Sequence, residues 1–114
     1  MANIGAEQEL AQCGTLRIWK WSSLTENDTA LAVAVNGAEP ISIMVEGTFG
    51  TGGSVGAQGS NAVSGNFYQL FTLATFSEAG ISPIRETALF MRPTVFAGTG
   101  VSVDVYLLVG GTVQ

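Results

Sequence analysis

The sequence contains no histidine, one cysteine and only four basic residues among 114. Without histidine, the commonest general base, the usual zinc ligand and every histidine-containing catalytic triad are missing. Cys13 has no second cysteine to pair with, and its neighbours Gln12 and Gly14 carry no charge that would stabilise a thiolate. These absences argue against an enzyme, a zinc protein and a disulfide-stabilised secreted domain. We therefore expect no catalytic residue, no metal ligand and no cofactor.

Charged residues are also few, at 11% of the chain against about 25% in typical soluble domains, and the net charge is −5. The basic residues are Arg17, Lys20, Arg85 and Arg92. They are too few for the basic footprint that binds nucleic acid or anionic membranes. No apolar run reaches the ~20 residues of a membrane span, and the first residues lack the basic and apolar regions of a secretory signal. We expect neither a nucleic-acid nor a membrane partner.

Short strands separated by glycine turns dominate what is present, with 15 glycines and 46% apolar residues. Residues 101–109 alternate between apolar and polar positions, as a half-buried strand does. Leu108 breaks the outward face, as expected of a strand that also contacts a partner. Strands recur at intervals of roughly 8–12 residues, and no helical period exceeds one turn. The pattern predicts an all-β, antiparallel β-sandwich or jelly-roll-like domain of about seven or eight strands.

Glycine-rich turns divide these strands. Residues 50–53 read GTGG and predict a hairpin that pairs residues 41–49 with residues 54–60. Residues 98–100 predict the turn before the last strand, and Pro93, which lacks a backbone donor, predicts an edge or a bulge. The glycine-rich stretch has no lysine and no following helix, so a hairpin is favoured over a phosphate-binding loop.

The first residues have weaker periodicity than the rest of the chain. We expect residues 1–14 to form an N-terminal arm that docks on a neighbouring subunit, and residues 15–114 to form a single β-sandwich domain. Many outward strand positions are small or apolar, and a large apolar surface on a small domain is usually covered by a partner. An obligate oligomer or a subunit of a larger assembly is therefore favoured.

Two tryptophans and two carboxylates are the most conspicuous candidate site residues. Trp19 and Trp21 lie two positions apart, so a strand places both on one face. Three alternatives remain open for this face: core packing, a subunit interface or an aromatic platform for a sugar. Glu46 and Asp104 fall on outward positions and would suit a glycosidase only as a close pair. We expect these two carboxylates to be solvated charges.

Two segments resemble a family of small proteins from tailed-bacteriophage virions. Residues 45–67 read VEGTFGTGGSVGAQGSNAVSGNF, which is similar to the family's pattern of strand, glycine turn, strand, Gly-Ser-Asn loop and aromatic residue. Further on, residues 76–81 (FSEAGI), 90–93 (FMRP) and 98–100 (GTG) are similar to the family's C-terminal half in their order and spacing. The resemblance covers residues 39–109.

The resemblance implies a head decoration, or cement, protein with a β-sandwich fold. Such a protein is made in the host cytoplasm and lies on the outer capsid surface, commonly as a trimer. There it bridges neighbouring major capsid protein subunits and stabilises the capsid. Family members usually continue Gly-Ser-Asn with Asp-Gly, whereas this chain has Ala62 and Val63 and a longer loop. The family's Gly-Ser-Asn-Asp-Gly and Tyr-Ile-Arg strings are also similar to those of discoidin-like jelly rolls, some of which bind glycans. The alternative is therefore a virion-displayed carbohydrate-binding module that uses Trp19, Trp21 or Tyr68.

The expected partners are thus the major capsid protein and further copies of the chain. We predict that the protein interface includes six residues from the N-terminal arm, the tryptophan pair and the strand before the last turn. These are Ile4, Leu10, Trp19, Trp21, Phe90 and Arg92.

Overall fold

In the computed structural model, residues 3–9, 17–34, 40–61, 66–69, 75–84 and 89–109 are described. These residues form eleven strands and no helix. In chain order the strands are β1 (Asn3–Ile4), β2 (Glu7–Glu9), β3 (Arg17–Leu24), β4 (Thr29–Ala30), β5 (Val33–Ala34), β6 (Pro40–Thr48), β7 (Thr51–Ser60), β8 (Tyr68–Gln69), β9 (Gly80–Pro83), β10 (Phe90–Thr99) and β11 (Ser102–Val109).

Two antiparallel sheets contain most of these strands. The five-stranded sheet has the order β2-β3-β11-β6-β9, and the four-stranded sheet has the order β5-β10-β7-β8. A short parallel pair, β1 with β4, is the third sheet. The prediction of an all-β, antiparallel β-sandwich is confirmed.

The core lies between the two sheets because inward and outward side chains alternate along each strand. On β11, Val103, Val105 and Leu107 are buried, and they face Val55 and Met91 of the four-stranded sheet. Burying a side chain of this size contributes roughly 1.5–3 kcal/mol, so these contacts hold the sheets together. A void of about 10 Å³ remains between the sheets, which is no larger than one water molecule.

The predicted hairpin between residues 41–49 and 54–60 is wrong. Strand β6 pairs with β11 in one sheet, whereas β7 pairs with β10 in the other. The two chain segments β6–β7 and β10–β11 therefore form one long antiparallel ribbon that crosses from one sheet to the other. A glycine-rich turn can reverse the chain direction within one sheet or between two sheets. Here the turn connects a strand of one sheet to a strand of the other.

The corner of this ribbon depends on glycine. Gly50 has a φ of 59° and lies against the opposite turn, where a Cβ atom at this position would overlap the carbonyl oxygen of Thr99. At Pro93, β7 is the one described strand that pairs with β10, because the pairing of β5 with β10 ends at Met91. Register shifts follow beyond Val95, so this part of β10 has the edge and bulge character predicted from the proline.

The described part of the predicted N-terminal arm adds strands to the sandwich. Strand β2 pairs antiparallel with β3 at the edge of the five-stranded sheet, and β1 pairs with β4. The backbone N–H of Leu31 also donates to the carbonyl oxygen of Ile4 over 2.8 Å. Residues 3–9 thus satisfy backbone hydrogen bonds within their own chain rather than extending from it. The boundary at residue 14 lies outside the described residues and stays a prediction.

Candidate interaction surfaces

The tryptophan pair belongs to the core of its own chain. Trp21 is fully buried, and its indole Nε1 donates to the carbonyl oxygen of Leu31 over 2.9 Å. Of the three alternatives, core packing therefore applies to Trp21, and its predicted place in a subunit interface is wrong because its ring has no exposed surface. Trp19 is half-buried against the same core, and its Nε1 has no partner among the described residues.

The other predicted interface residues are distributed over different parts of the fold. Ile4 is half-buried and packs against the core from the short β1 strand. Leu10 lies outside the described residues. Phe90 and Arg92 lie on β10, where they alternate with the buried Met91 and therefore point outward from the four-stranded sheet. Ile4, Trp19 and Trp21 are thus together in or against the core, and Phe90 and Arg92 are together on an outer surface.

An aromatic surface surrounds these two residues on the outer side of the four-stranded sheet. We define it by Phe67, Phe90, Arg92 and Phe96. The guanidinium carbon of Arg92 lies 4.3 Å from the centroid of the Phe67 ring, within the range of a cation–π contact. Phe96 is 38% exposed. Tyr68, on the edge strand β8, is 69% exposed, but it is opposite Gly59 and thus on the same side as the inward Met91, away from Arg92.

Hydrogen bonds hold Arg92 in this position. Its Nε donates to Oε1 of Gln58 over 3.0 Å, and the hydroxyl of Thr94 donates to the same oxygen over 3.1 Å. Gln58 is directly opposite Arg92 on the neighbouring strand β7. A planar guanidinium that is fixed by one hydrogen bond and one ring loses little entropy when it binds a partner.

The outer side of the five-stranded sheet has different chemistry. We define an aliphatic face there by Ile18, Met44, Ile81, Tyr106 and Leu108. The register aligns Ile81 with Met44, Met44 with Tyr106, and Leu108 with Ile18 across neighbouring strands. Met44, Tyr106 and Leu108 alternate with buried core residues, and Ile81 is 66% exposed. Polar residues share these rows, since Leu108 is opposite Ser42 and Tyr106 is opposite Lys20.

Charged side chains lie on the same outer side of the five-stranded sheet as these apolar residues. Asp104 and Glu46 are directly opposite each other at one end, and Lys20 lies beside Tyr106, with its Nζ 5.1 Å from the ring centroid. Asp104 is half-buried and accepts a hydrogen bond from the backbone N–H of Ser23 over 2.9 Å. Ser23 has a φ of 55° in a bulge of β3, so this carboxylate stabilises a strained backbone.

Glu26 is a third carboxylate, and it stabilises the turn between β10 and β11 of the crossing ribbon by hydrogen bonds. Glu26 accepts hydrogen bonds from the backbone N–H groups of Val101 (2.9 Å) and Gly100 (3.1 Å). Its own backbone N–H, and then those of Val101 and Gly100, hold the pKa of Glu26 below its usual value, because hydrogen bonds favour the charged form. The loop that carries Glu26 is closed by Asp28, whose Oδ2 accepts from the N–H and hydroxyl of Thr25.

Within the described ranges, no three or more acidic or cysteine side chains converge in a way that could hold a metal ion. The same residues include no helix long and apolar enough to cross a bilayer. The features that stand out in this part of the chain are therefore surfaces rather than a pocket.

Comparison of the chain with protein-family models, with curated proteins and with solved structures found no match. The class that the fold defines is an all-β sandwich, and function has to be inferred from its surfaces.

The sequence analysis did not predict several residues of the two surfaces. Gln58 sits in a glycine-rich strand of small residues, and only the register of β7 against β10 pairs it with Arg92. The signal for the aliphatic face was present in the unbroken apolar runs of residues 43–45 and 105–109, which alternation alone does not explain.

Proposed function

We propose that the chain is a structural virion protein that decorates and stabilises the outer surface of a tailed-bacteriophage capsid. It bridges neighbouring major capsid protein subunits and acts as a homo-oligomer, for which the resemblance implies a trimer. In this proposal the chain has no catalytic role, and its binding site is the aromatic surface.

The observation that carries the proposal is the chemistry of the aromatic surface. Phenylalanine, tyrosine and arginine are the residue types enriched where proteins bind separate partners. Here Phe96 is exposed on the same side of the sheet as Arg92, and the Arg92 guanidinium lies against the Phe67 ring. Arg92 is one of only four basic residues in the chain. The resemblance to decoration proteins includes residues 90–93, and hence two members of this surface.

The physics of decoration is compatible with a surface of this size. Many identical copies on a lattice give avidity, so each individual contact need not be strong. A protein that binds only the mature lattice stabilises it by mass action. The net charge of −5 suits the outside of a shell better than its DNA-facing interior.

Co-sedimentation tests this proposal directly. Purified chain is mixed with mature capsids of the phage that encodes it, assembled without it, and bound copies per capsid are counted on a gradient. We expect saturable binding at a multiple that matches the lattice, together with greater heat resistance of the capsid. Phe96→Ala should weaken binding at least tenfold, because this ring is 38% exposed on the aromatic surface and is not part of the core cluster.

The control is Leu31→Ala, which truncates another exposed apolar residue, 48% exposed, that lies outside both surfaces. It should bind as the unmodified chain does. If the unmodified chain fails to bind capsids, the decoration role is wrong. If both variants bind equally well, decoration persists but the aromatic surface is not the contact.

A carbohydrate-binding module is the second candidate, and the 69% exposure of the Tyr68 ring on the edge strand β8 favours it. The burial of Trp21 removes one of the rings on which a sugar was predicted to stack. Screening the chain against immobilised glycans, with Tyr68→Ala as the variant, separates this candidate from decoration. Glycan binding that Tyr68→Ala abolishes, without capsid binding, would replace the first proposal.

A further inference from the structure

Arg92 is the one charged residue in the described strands of the four-stranded sheet. Strands β5, β7, β8 and β10 otherwise contain apolar, small and uncharged polar residues. In the five-stranded sheet, by contrast, β2, β6 and β11 all contain acidic residues. The strands beneath the aromatic surface thus carry a single positive charge, although the net charge of the chain is −5. A local charge opposite in sign to the rest of the molecule indicates a partner group that is negative.

The guanidinium of Arg92 is held in place with one edge left over. Its carbon lies 4.3 Å from the centroid of the Phe67 ring, and its Nε donates to Oε1 of Gln58 over 3.0 Å. No described residue accepts a hydrogen bond from the terminal groups Nη1 and Nη2. These two nitrogens form the edge of a guanidinium that matches the two oxygens of a carboxylate.

Aromatic rings flank this edge along β10. Phe90 and Phe96 lie on the same side of the strand as Arg92, the first half-buried and the second 38% exposed. The Phe96 ring lies against Gly56 of β7, where a Cβ atom would come within 2.6 Å of Cε2 of the ring. Glycine at this position therefore allows the ring to rest on the sheet. The result is one cation between two apolar rings.

We propose that the aromatic surface binds a protein carboxylate flanked by apolar side chains, with its two oxygens on Nη1 and Nη2 of Arg92. The inference rests on the proposed function and names the chemistry of the partner, so the carboxylate belongs to the major capsid protein. The apolar neighbours of this carboxylate cover Phe90 and Phe96 and exclude water from the ion pair, which strengthens it.

A protein carboxylate fits this surface better than a phosphate or an acidic sugar. Proteins that bind the phosphates of nucleic acids neutralise many of them with several basic residues, and here there is a single cation. A sugar has several hydroxyl groups that need hydrogen-bond partners when they are buried. The rings of Phe90 and Phe96 offer none, whereas apolar side chains beside an acidic residue need none.

Co-sedimentation with mature capsids that lack the chain tests this contact. Arg92→Gln removes the charge and should weaken binding at least tenfold, because the partner carboxylate is left buried without a cation. Arg92→Lys keeps the charge but not the planar fork, so it should weaken binding less than Arg92→Gln does.

Lys20→Gln is the matched control. It removes the same charge from beside another aromatic ring, that of Tyr106, on the five-stranded sheet. It should bind within twofold of the unmodified chain. Circular dichroism and melting temperature show that all three variants are folded.

Carbodiimide cross-linking of the capsid-bound Arg92→Lys variant identifies the partner group. The reagent takes up the water that is released when a lysine amine and a carboxyl group form an amide bond. We expect mass spectrometry to find residue 92 joined to an aspartate, a glutamate or the C-terminal carboxyl of the major capsid protein. Links to the capsid protein from Lys20 and none from residue 92 would overturn the proposal.

The remaining outcomes separate this contact from the decoration role. If the unmodified chain does not bind capsids, both are wrong. If it binds and Arg92→Gln binds equally well, decoration stands and the carboxylate contact is wrong. Equal losses in Arg92→Lys and Arg92→Gln would show that the charge is not recognised. Binding to immobilised acidic glycans that Arg92→Gln abolishes, without capsid binding, would replace the protein carboxylate with that of a sugar.

Discussion

The outer faces of the two sheets differ although both belong to one small sandwich. On the four-stranded sheet, Arg92, Gln58 and Thr94 form a hydrogen-bonded cluster beside the Phe67 ring. On the five-stranded sheet, Tyr106 lies between Met44 and Lys20, and Asp104 lies opposite Glu46. The first face gathers its polar groups around one guanidinium, whereas the second mixes apolar and charged side chains.

This difference teaches that low overall charge need not be spread evenly. A chain with 11% charged residues has too few to cover both sheets. Lys20, Glu46 and Asp104 lie on the outer side of the five-stranded sheet, whereas Arg92 is the charged residue of the aromatic surface. The charges are thus concentrated on one face, and the aromatic surface has the smaller share.

The difference between the faces disappears altogether if the crossing ribbon cannot form. Gly50→Ala should destabilise the fold by more than ~3 kcal/mol, because the new Cβ overlaps the carbonyl oxygen of Thr99 and the backbone has a positive φ. Gly52 has a φ of 68° but nothing within 4 Å of its missing Cβ, so Gly52→Ala should cost only ~1–2 kcal/mol. Chemical denaturation measures both values. Equal losses would show that the close approach of the two turns is unimportant.

The next test concerns Trp19 and Trp21, which lie on the inner side of the five-stranded sheet. Trp21→Phe removes buried volume and the hydrogen bond to Leu31, so we expect a loss of about 2–3 kcal/mol. Trp19→Phe removes a buried Nε1 that has no partner among the described residues, and should cost less than ~1 kcal/mol. Urea unfolding of the two variants provides the measurement. A larger loss at Trp19 would contradict the assignment of its indole.

The aromatic surface should respond more weakly. Arg92→Lys loses the donor to Gln58 and the flat guanidinium over Phe67, for an expected cost of ~1 kcal/mol. Thr94→Val removes only one hydroxyl donor to the same oxygen and should cost less. If combining the two substitutions gives an effect equal to the sum of the single effects, the cluster does not act as a unit.

We expect the smallest effect on stability from lowering the pH, which acts on Glu26 at the turn between β10 and β11. Because the pKa of Glu26 is lowered in the folded state, its contribution to stability is present above the usual glutamate pKa. That contribution is lost as the pH falls through the lower, folded value. Melting temperatures of the unmodified chain and Glu26→Gln, measured between pH 7 and pH 3, should differ most at neutral pH and converge in acid. A constant difference would mean that the hydrogen bonds to Gly100 and Val101 do not depend on the charge.

Sequence reasoning predicts the strands of this fold better than their partners. The alternation along residues 101–109 reports which side chains of β11 are inward, since burial acts on each residue separately. It contains no information on which strand lies beside β11, because the pairing with β6 joins residues about sixty positions apart. The GTGG turn shows the same limit, for it marks a reversal without showing which sheet receives the chain.

The candidate surfaces follow the same logic. The spacing of Trp19 and Trp21 places both on one face of β3, but only the stacking of the second sheet decides that this face is inward. Phe90 and Arg92 were predicted as interface residues, and their outward direction follows from alternation with Met91. Their neighbours Gln58 and Phe67 were not predicted, because the contacts depend on cross-strand register.

The crossing ribbon also determines the order in which the protein can be made. Residues 40–60 emerge from the ribosome before their main hydrogen-bonding partners in residues 90–109. Until then, β6 has only the short β9 beside it and β7 only the short β8 and Phe76 among the described residues, and pairing over such a separation is slow. The nascent chain therefore completes its core only after Val109 has left the ribosome.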